Sequence, residues 1–405
     1  MPKPIFVFSL LLILSYPALS QFSFIDEINI SPEDYVSNFD QINNIVKERY
    51  SLFEPKKIDI DSLFSFYRSK VSQTVSKSEY FEYLLNYFSE LKNSHTTIHI
   101  REYGLKAVVI NIENRIFIKK LDEPSLVAAG ISVNDEILEI NGIPISDWLT
   151  LQRKLVSAST IDHEFSKTLW KVFNSEFKES RSYKIQTKNG IKIVEANIVH
   201  AADYNYTYPQ DVPKCDQKML DDHIGYIVIN SMTGNVVEEF ANAFNSMKNI
   251  PNLILDLREN YGGSSAFSEQ MAQYLIPMKQ RACVSGKMLK PNQNRYQGSL
   301  YVLIGNETAS AAESFTIDLL ESNNATLLGS PTAGDTGNGP MNFSTDYGVS
   351  FRIPTRPLQF SKYKIFPMEG LGIKPHFTIK QTVEDFEKGK DTVLEQTINL
   401  INQNL

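Results

Sequence analysis

The chain has 405 residues, of which 42% are hydrophobic, 21% charged and 11% aromatic. That length suits two or three domains, and the composition leaves no room for a collagen, coiled-coil or low-complexity architecture. A formal net charge of −7, with no Lys/Arg stripe interleaved with aromatics, argues against nucleic acid as the main partner.

The first twenty residues, MPKPIFVFSLLLILSYPALS, have a charged start at Lys3, an apolar run from Ile5 to Tyr16 and an Ala18-Leu19-Ser20 exit. That is the pattern of a secretory signal peptide, with cleavage expected after Ser20; an uncleaved anchor is the alternative. Residues 21–100 read as a helical segment. Ser31-Pro32-Glu33-Asp34 is a helix start with Pro in the first turn and acids near the dipole. Leu63, Phe64, Phe66 and Tyr67 recur at helical spacing, as do Phe81, Leu84, Leu85 and Phe88. Past LKNSHTTIHI the period changes. Residues 101–200 read as β-rich, with strands at AVVINI (107–112), IFIKKL (116–121) and 135–140. Asn141-Gly142 makes a tight turn, and a hairpin over SYKIQTKNGIKIVEANIV turns at Asn189-Gly190. A short helix at 125–129, stopped by Gly130, and a helical stretch around 146–175 interrupt the strands. Residues 201–222 are polar, contain Pro209 and Pro213, and read as a linker.

From 223 to 405 the pattern becomes strand, helix, strand, helix. IGYIVIN (224–230), LILDLR (253–258), LYVLI (300–304) and ATLLG (325–329) are the strands. The helices are VVEEFANAFNSM (236–247), a segment ending near Leu275, and ASAAESFTIDLLES. This alternation predicts parallel crossover units and an α/β fold, whose sites lie at the carboxyl ends of the strands. Tyr261-Gly262-Gly263 and Ser310 both fall at such ends. Ser310 alone is more often a helix cap than a nucleophile. A helix N-terminus nevertheless helps a nucleophile, because its free amides stabilise a developing oxyanion. The two cysteines, Cys215 and Cys283, make no Cys-x-x-Cys motif. They either pair, for roughly 4 kcal/mol in a chain-entropy picture, or remain separate buried thiols. The histidines other than His95 (His99, His163, His200, His223 and His376) form no His-x-x-x-His pair among themselves, so neither a metal nor a cofactor is expected.

Together these pieces resemble the S41 peptidase family, the tail-specific (C-terminal processing) and tricorn-like serine proteases, over residues 80–380. AGISVNDEILEINGIPI (129–145) looks like a stretch of a PDZ domain. LILDLRENYGG (253–263) looks like the family's strand-and-glycine motif, NETASAAESF (306–315) like its nucleophile motif, and ATLLGSPTAG (325–334) like the segment after it. The resemblance implies a ClpP/crotonase-like α/β protease core, an N-terminal helical segment and a PDZ-like β-rich domain. It implies Ser310 as nucleophile and His95, in Ser94-His95, as general base. Glu369, in FPMEGLGIKPHF, would orient that imidazole through the hydroxyl of Ser94. The amides of Gly262 and Ala311 would form the oxyanion hole.

Two departures stand out. The tail-specific branch places a lysine where this chain has Asp335, and no lysine lies between Lys290 and Lys362, which disfavours a Ser–Lys dyad. Tyr261 replaces a small residue beside the oxyanion hole and bears on substrate scope. The PDZ-like part implies capture of an extended peptide by its C-terminal tail, with Glu102-Tyr103-Gly104-Leu105 in the carboxylate loop. The expectation is an exported serine endopeptidase acting on a peptide or protein substrate. The competing expectation is a non-catalytic peptide- or small-ligand-binding protein on the same fold.

Overall fold

Apolar residues at positions 236, 240, 243, 244 and 247 line one stripe of the helix Val236–Met247, and all are buried. That stripe packs on a six-stranded sheet, which is described, with the rest of the chain, by a computed structural model. The described residues are 23–403, except 208, 210, 323–324, 336–338 and 358–368. The leader expected over 1–20 lies outside them. The sheet runs, in order, Cys215–Asp221, Ile224–Ile229, Asn252–Asp256, Ser299–Ile304, Ala325–Gly329 and Phe377–Thr378. Its first pair is antiparallel and every later pair parallel.

Side chains alternate across this sheet, and each face has its own cover. Ile227, Leu255, Val302 and Leu327 face Phe240, Phe244, Met271 and Phe315, from three helices that include Ser265–Ala272 and Ala311–Glu321. Ile254, Tyr301, Leu303 and Leu328 face Val393 and Ile401 of the C-terminal helix Thr392–Gln403. Burying each large side chain contributes about 1.5–3 kcal/mol. The central strands are therefore covered on both sides, as their near-continuous apolar sequences require.

A second sheet lies in the β-rich region. Strands Ala107–Ile112, Arg115–Leu121, Glu136–Ile140, Glu179–Thr187 and Gly190–Ile198 follow one another antiparallel. Asn141 and Gly142 take φ of +54° and +75°, the left-handed pair that a two-residue hairpin demands. Helices Ile145–Gln152 and Ile161–Leu169 cover the sheet around Trp148 and Phe173.

Helices Tyr35–Arg49, Ile60–Val71 and Lys77–Ser89 form a third body around Phe39, Ile42, Leu84 and Phe88. Their starts are conventional: Asp59 accepts from the amides of Asp61 and Ser62, and Ser76 accepts from Glu79. Val349, Phe351 and Ile353 belong to the same core, although they come from a hairpin of strands Pro340–Ser344 and Ser350–Pro354. The short strand Thr97–Ile98 adds to that hairpin, pairing with Arg352 and Phe351. This pairing carries His95 from the N-terminal third to the strand ends of the main sheet.

Two expectations need correction. Residues 201–222 are not a plain linker: Tyr204–Thr207 is a helical turn, and Cys215–Asp221 is the edge strand of the main sheet. Its side chains are mostly polar because it is an edge strand, held by backbone pairing to Ile224–Ile229 more than by burial. Residues 102–105 are not an open carboxylate loop either. The Gly104 amide donates to His200 O (2.9 Å) and the Leu105 amide to Phe173 O (2.9 Å). Glu102 is half-buried against Lys171 (2.7 Å) and accepts from Tyr204 (2.9 Å).

Candidate active site

Three successive strands of the main sheet end side by side, and their loops meet. After Asn252–Asp256 comes 257–263, after Ser299–Ile304 comes 305–310, and after Ala325–Gly329 comes 330–335. Backbone bonds stitch these loops: Ala309 N to Asn260 O (3.0 Å), Ala333 N to Thr308 O (3.0 Å) and Ser310 N to Asp335 O (2.8 Å). Thr308 has no exposed surface; its hydroxyl donates to Leu257 O (2.7 Å) and accepts from the Gly305 amide (3.0 Å).

Ser310 caps the helix Ala311–Glu321 with φ +55° and ψ −118°, a conformation that costs a non-glycine residue about 1–3 kcal/mol. A strained serine on a strand-to-helix turn is the geometry that presents a hydroxyl outward. Gly262, at φ +93°, lies directly against it. A Cβ at Gly262 would sit 2.7 Å from Ala309 O, 2.8 Å from Ser310 Cβ and 2.9 Å from Ala311 N. The Ala311 amide is the first of its helix and has no intrahelical acceptor. The Gly262 amide, by contrast, donates to Asn260 Oδ1 (2.9 Å). Gly262 and the Ala311 amide are thus neighbours, and the Gly262 amide is already engaged.

The carboxylate facing His95 is not the one expected. Asp335 Oδ2 lies 2.5 Å from His95 Nδ1, and the Asp335 side chain is 2% exposed. Asp335 stands where the tail-specific branch has lysine, and its own carbonyl takes the Ser310 amide. One residue therefore connects the serine's backbone to the histidine's ring. Glu369 is buried close by, but its carboxylate pairs with Lys56 Nζ at 2.6 Å. Burial and the neighbouring Asp335 push the Glu369 carboxyl up, while Lys56 and the Ser159 hydroxyl pull it down. Ser94 does not reach Glu369 directly. Its hydroxyl accepts from the Ser159 amide (3.0 Å) and its amide donates to Ser159 Oγ (3.2 Å).

The helix Ile161–Leu169 of the β-rich region adds two more groups. Lys167 Nζ donates to Ser157 O (2.6 Å) and Ser94 O (3.4 Å); burial pushes its ammonium down to about 8, with Asp335 opposing. His163 is buried, donates from Nδ1 to Asn306 O (2.6 Å), and is held down at about 4 by burial and then by Lys167. Lys56, Ser159, Lys167 and His163 have no motif around them to mark a site. For Asp335 the signal was present: an acid at a position where a catalytic residue was expected. Cys215 and Cys283 are separate thiols, and burial pushes both up, Cys215 to about 12.

An α/β sheet whose strand ends gather a helix-cap serine, a glycine turn and a histidine–carboxylate contact is an arrangement suited to serine-hydrolase chemistry. Residues 223–379 match the model of Peptidase family S41, and residues 111–197 match that of the Bacteroidetes S41 peptidase N-terminal domain. Residues 223–379 are thus similar to an S41 peptidase domain. The Carboxy-terminal processing protease CtpA of Bacillus subtilis (strain 168) is 27% identical over 220 residues, which are 50% of this chain and 46% of that protein. The chain thus spans about half the length of the curated relative it matches. Among solved structures, mature CPAF aligns with a TM-score of 0.75 at 16% identity, covering 92% of this chain and 98% of that one. A putative peptidase from Parabacteroides merdae ATCC 43184 aligns at 0.56 and 20% identity, over 92% and 97% of the two chains. The tricorn protease aligns at 0.51 and 17%, over 92% of this chain and 37% of its own. These structures share the fold.

Proposed function

We propose that this protein is an exported serine endopeptidase that hydrolyses peptides or unfolded protein tails. The observation that supports it most is the double contact of Asp335, whose carbonyl holds the Ser310 amide while its carboxylate faces His95 Nδ1. A proton on Nδ1 beside that carboxylate leaves Nε2 as the ring's base. In this reading Ser310 Oγ attacks the scissile carbonyl carbon and its proton passes to His95. The oxyanion forms against the Ala311 amide, and His95 returns the proton to the leaving amine. Water then cleaves the acyl-enzyme by the reverse roles. The Gly262 amide joins the oxyanion hole only when Asn260 Oδ1 releases it.

Glu369 and Ser94 keep supporting roles: Glu369, through Ser159, fixes the Ser94-His95 segment. Export rests on the leader-like residues 1–20. Selection of a C-terminal tail rests on the likeness to a carboxy-terminal processing protease. The β-rich domain would deliver such a tail as an added strand, PDZ-like in mode, though not through Gly104 and Leu105, whose amides are engaged.

The test is a fluorophosphonate probe together with a casein or peptide cleavage assay. The expected result is labelling and cleavage in the wild type and neither in Ser310→Ala, with unchanged circular dichroism. Undiminished cleavage by Ser310→Ala overturns the reading. A folded wild type that takes up no probe and cuts nothing points to the binding protein.

A further inference from the structure

Glu313 is the third residue of the helix Ala311–Glu321 and has no exposed surface. Four donors converge on its carboxylate. Thr332 Oγ1 (2.5 Å) and the Gly334 amide (2.8 Å) donate to Oε1. The Asp335 amide (2.8 Å) and the Ser310 amide (3.1 Å) donate to Oε2. Burial, with Asp335 adding, pushes this carboxyl up to about 8, and these donors pull it back. A carboxylate this deep is costly unless its lone pairs are filled, and here all four are.

Helix capping explains only one of the four bonds, the one from Ser310. The other three come from the 332–335 loop, outside the helix. Oε2 bridges the amides of Ser310 and Asp335, while Asp335 O takes the same Ser310 amide at 2.8 Å. Ser310 is therefore held at φ +55° by two acceptors that are themselves tied together. Strained conformations persist where the surroundings over-determine them.

We propose that Glu313 is a positioning residue: its buried carboxylate locks the nucleophile turn and the Asp335 loop in one register, so that hydroxyl and imidazole stay aligned. It touches neither substrate nor imidazole. The proposal rests on Ser310 being the nucleophile. A misplacement near 1 Å at a reacting group costs about 10²-fold in rate.

The test is Glu313→Gln, which keeps the shape but turns an amide NH2 toward donors. Active sites are counted with the fluorophosphonate probe, and kcat is expressed per labelled site. The expected result is a kcat about 10²-fold lower with KM within threefold, and a similar fall in the labelling rate. A merely structural role would reduce the number of labelled sites and the melting temperature while leaving kcat per site intact, and that result overturns the proposal. Should Glu313→Gln not fold, Thr332→Val removes one donor to Glu313, together with the acceptor of the Ile373 amide, and is expected to lower kcat per site about fivefold to tenfold. Wild-type kcat per site in Thr332→Val then overturns the proposal. A wild type that takes up no probe refutes the serine-nucleophile reading, an outcome distinct from either.

Discussion

Asp335 and Glu369 are both carboxylates, both almost fully buried, and both close to the same histidine loop, yet the fold treats them oppositely. Asp335 meets an imidazole at 2.5 Å, and Glu369 meets an ammonium at 2.6 Å. A carboxylate beside a neutral imidazole can hold its tautomer and stabilise the charge that forms during reaction. A carboxylate already paired with a lysine has its charge answered before any reaction begins. What a buried acid does is set by the group it faces, and a local motif around it does not specify that group.

The comparison is broken most directly at Asp335. Asp335→Asn keeps the carbonyl that holds the Ser310 amide, so the nucleophile turn survives while the charge facing His95 is lost. The expected fall in kcat/KM is roughly 10³-fold to 10⁴-fold, about 4–5 kcal/mol. Cleavage within tenfold of wild type would return the role to Glu369. Lys56→Met strips Glu369 of its cation and leaves a buried carboxylate unpaired. Urea unfolding should then show a loss of about 3–5 kcal/mol, while kcat per labelled site changes little.

The third variant sharpens the contrast by pH. His163 is held at about 4, below its ordinary 6.5, so the unfolded chain binds the extra proton between those values. Stability is therefore lost as pH falls from about 6.5 toward 4, by roughly 3 kcal/mol for this group. His163→Asn keeps a donor for Asn306 O and should flatten that part of the curve, read as urea midpoints at pH 7 and pH 4.5. An unchanged acid slope would place the loss elsewhere, His99 being held down at about 4 as well. The smallest effect is expected for Glu369→Gln: about tenfold in kcat/KM, acting through Ser159 and Ser94. A loss as large as that of Asp335→Asn would erase the distinction between the two acids.

Much of the main sheet was legible because its signals are local. The helix 236–247 and the strand 325–329 stand where the periodicity put them, and the strands 224–229 and 299–304 lie within one residue of it. Asn141-Gly142 forms its turn because both residues tolerate positive φ. The strand Cys215–Asp221 was missed because an edge strand needs few apolar residues. The hairpin 340–354 was not anticipated, since its burial comes from the N-terminal helices, some three hundred positions earlier.

The candidate site divides in the same way. Ser310 at a helix start, glycines after a buried strand and the Ser94-His95 step were readable as residue types in a pattern. The acid opposite His95 was not. Sequence alone determined the strand–helix alternation, the turn residues and the strand ends at which chemistry can gather, because backbone preference and side-chain period act over a few residues. Tertiary structure alone decided that Asp335 meets His95, that Lys56 meets Glu369, and that Glu313 ties two loops together. Those contacts depend on how distant loops converge once the sheet and the strand Thr97–Ile98 have formed, and such convergence has no local period.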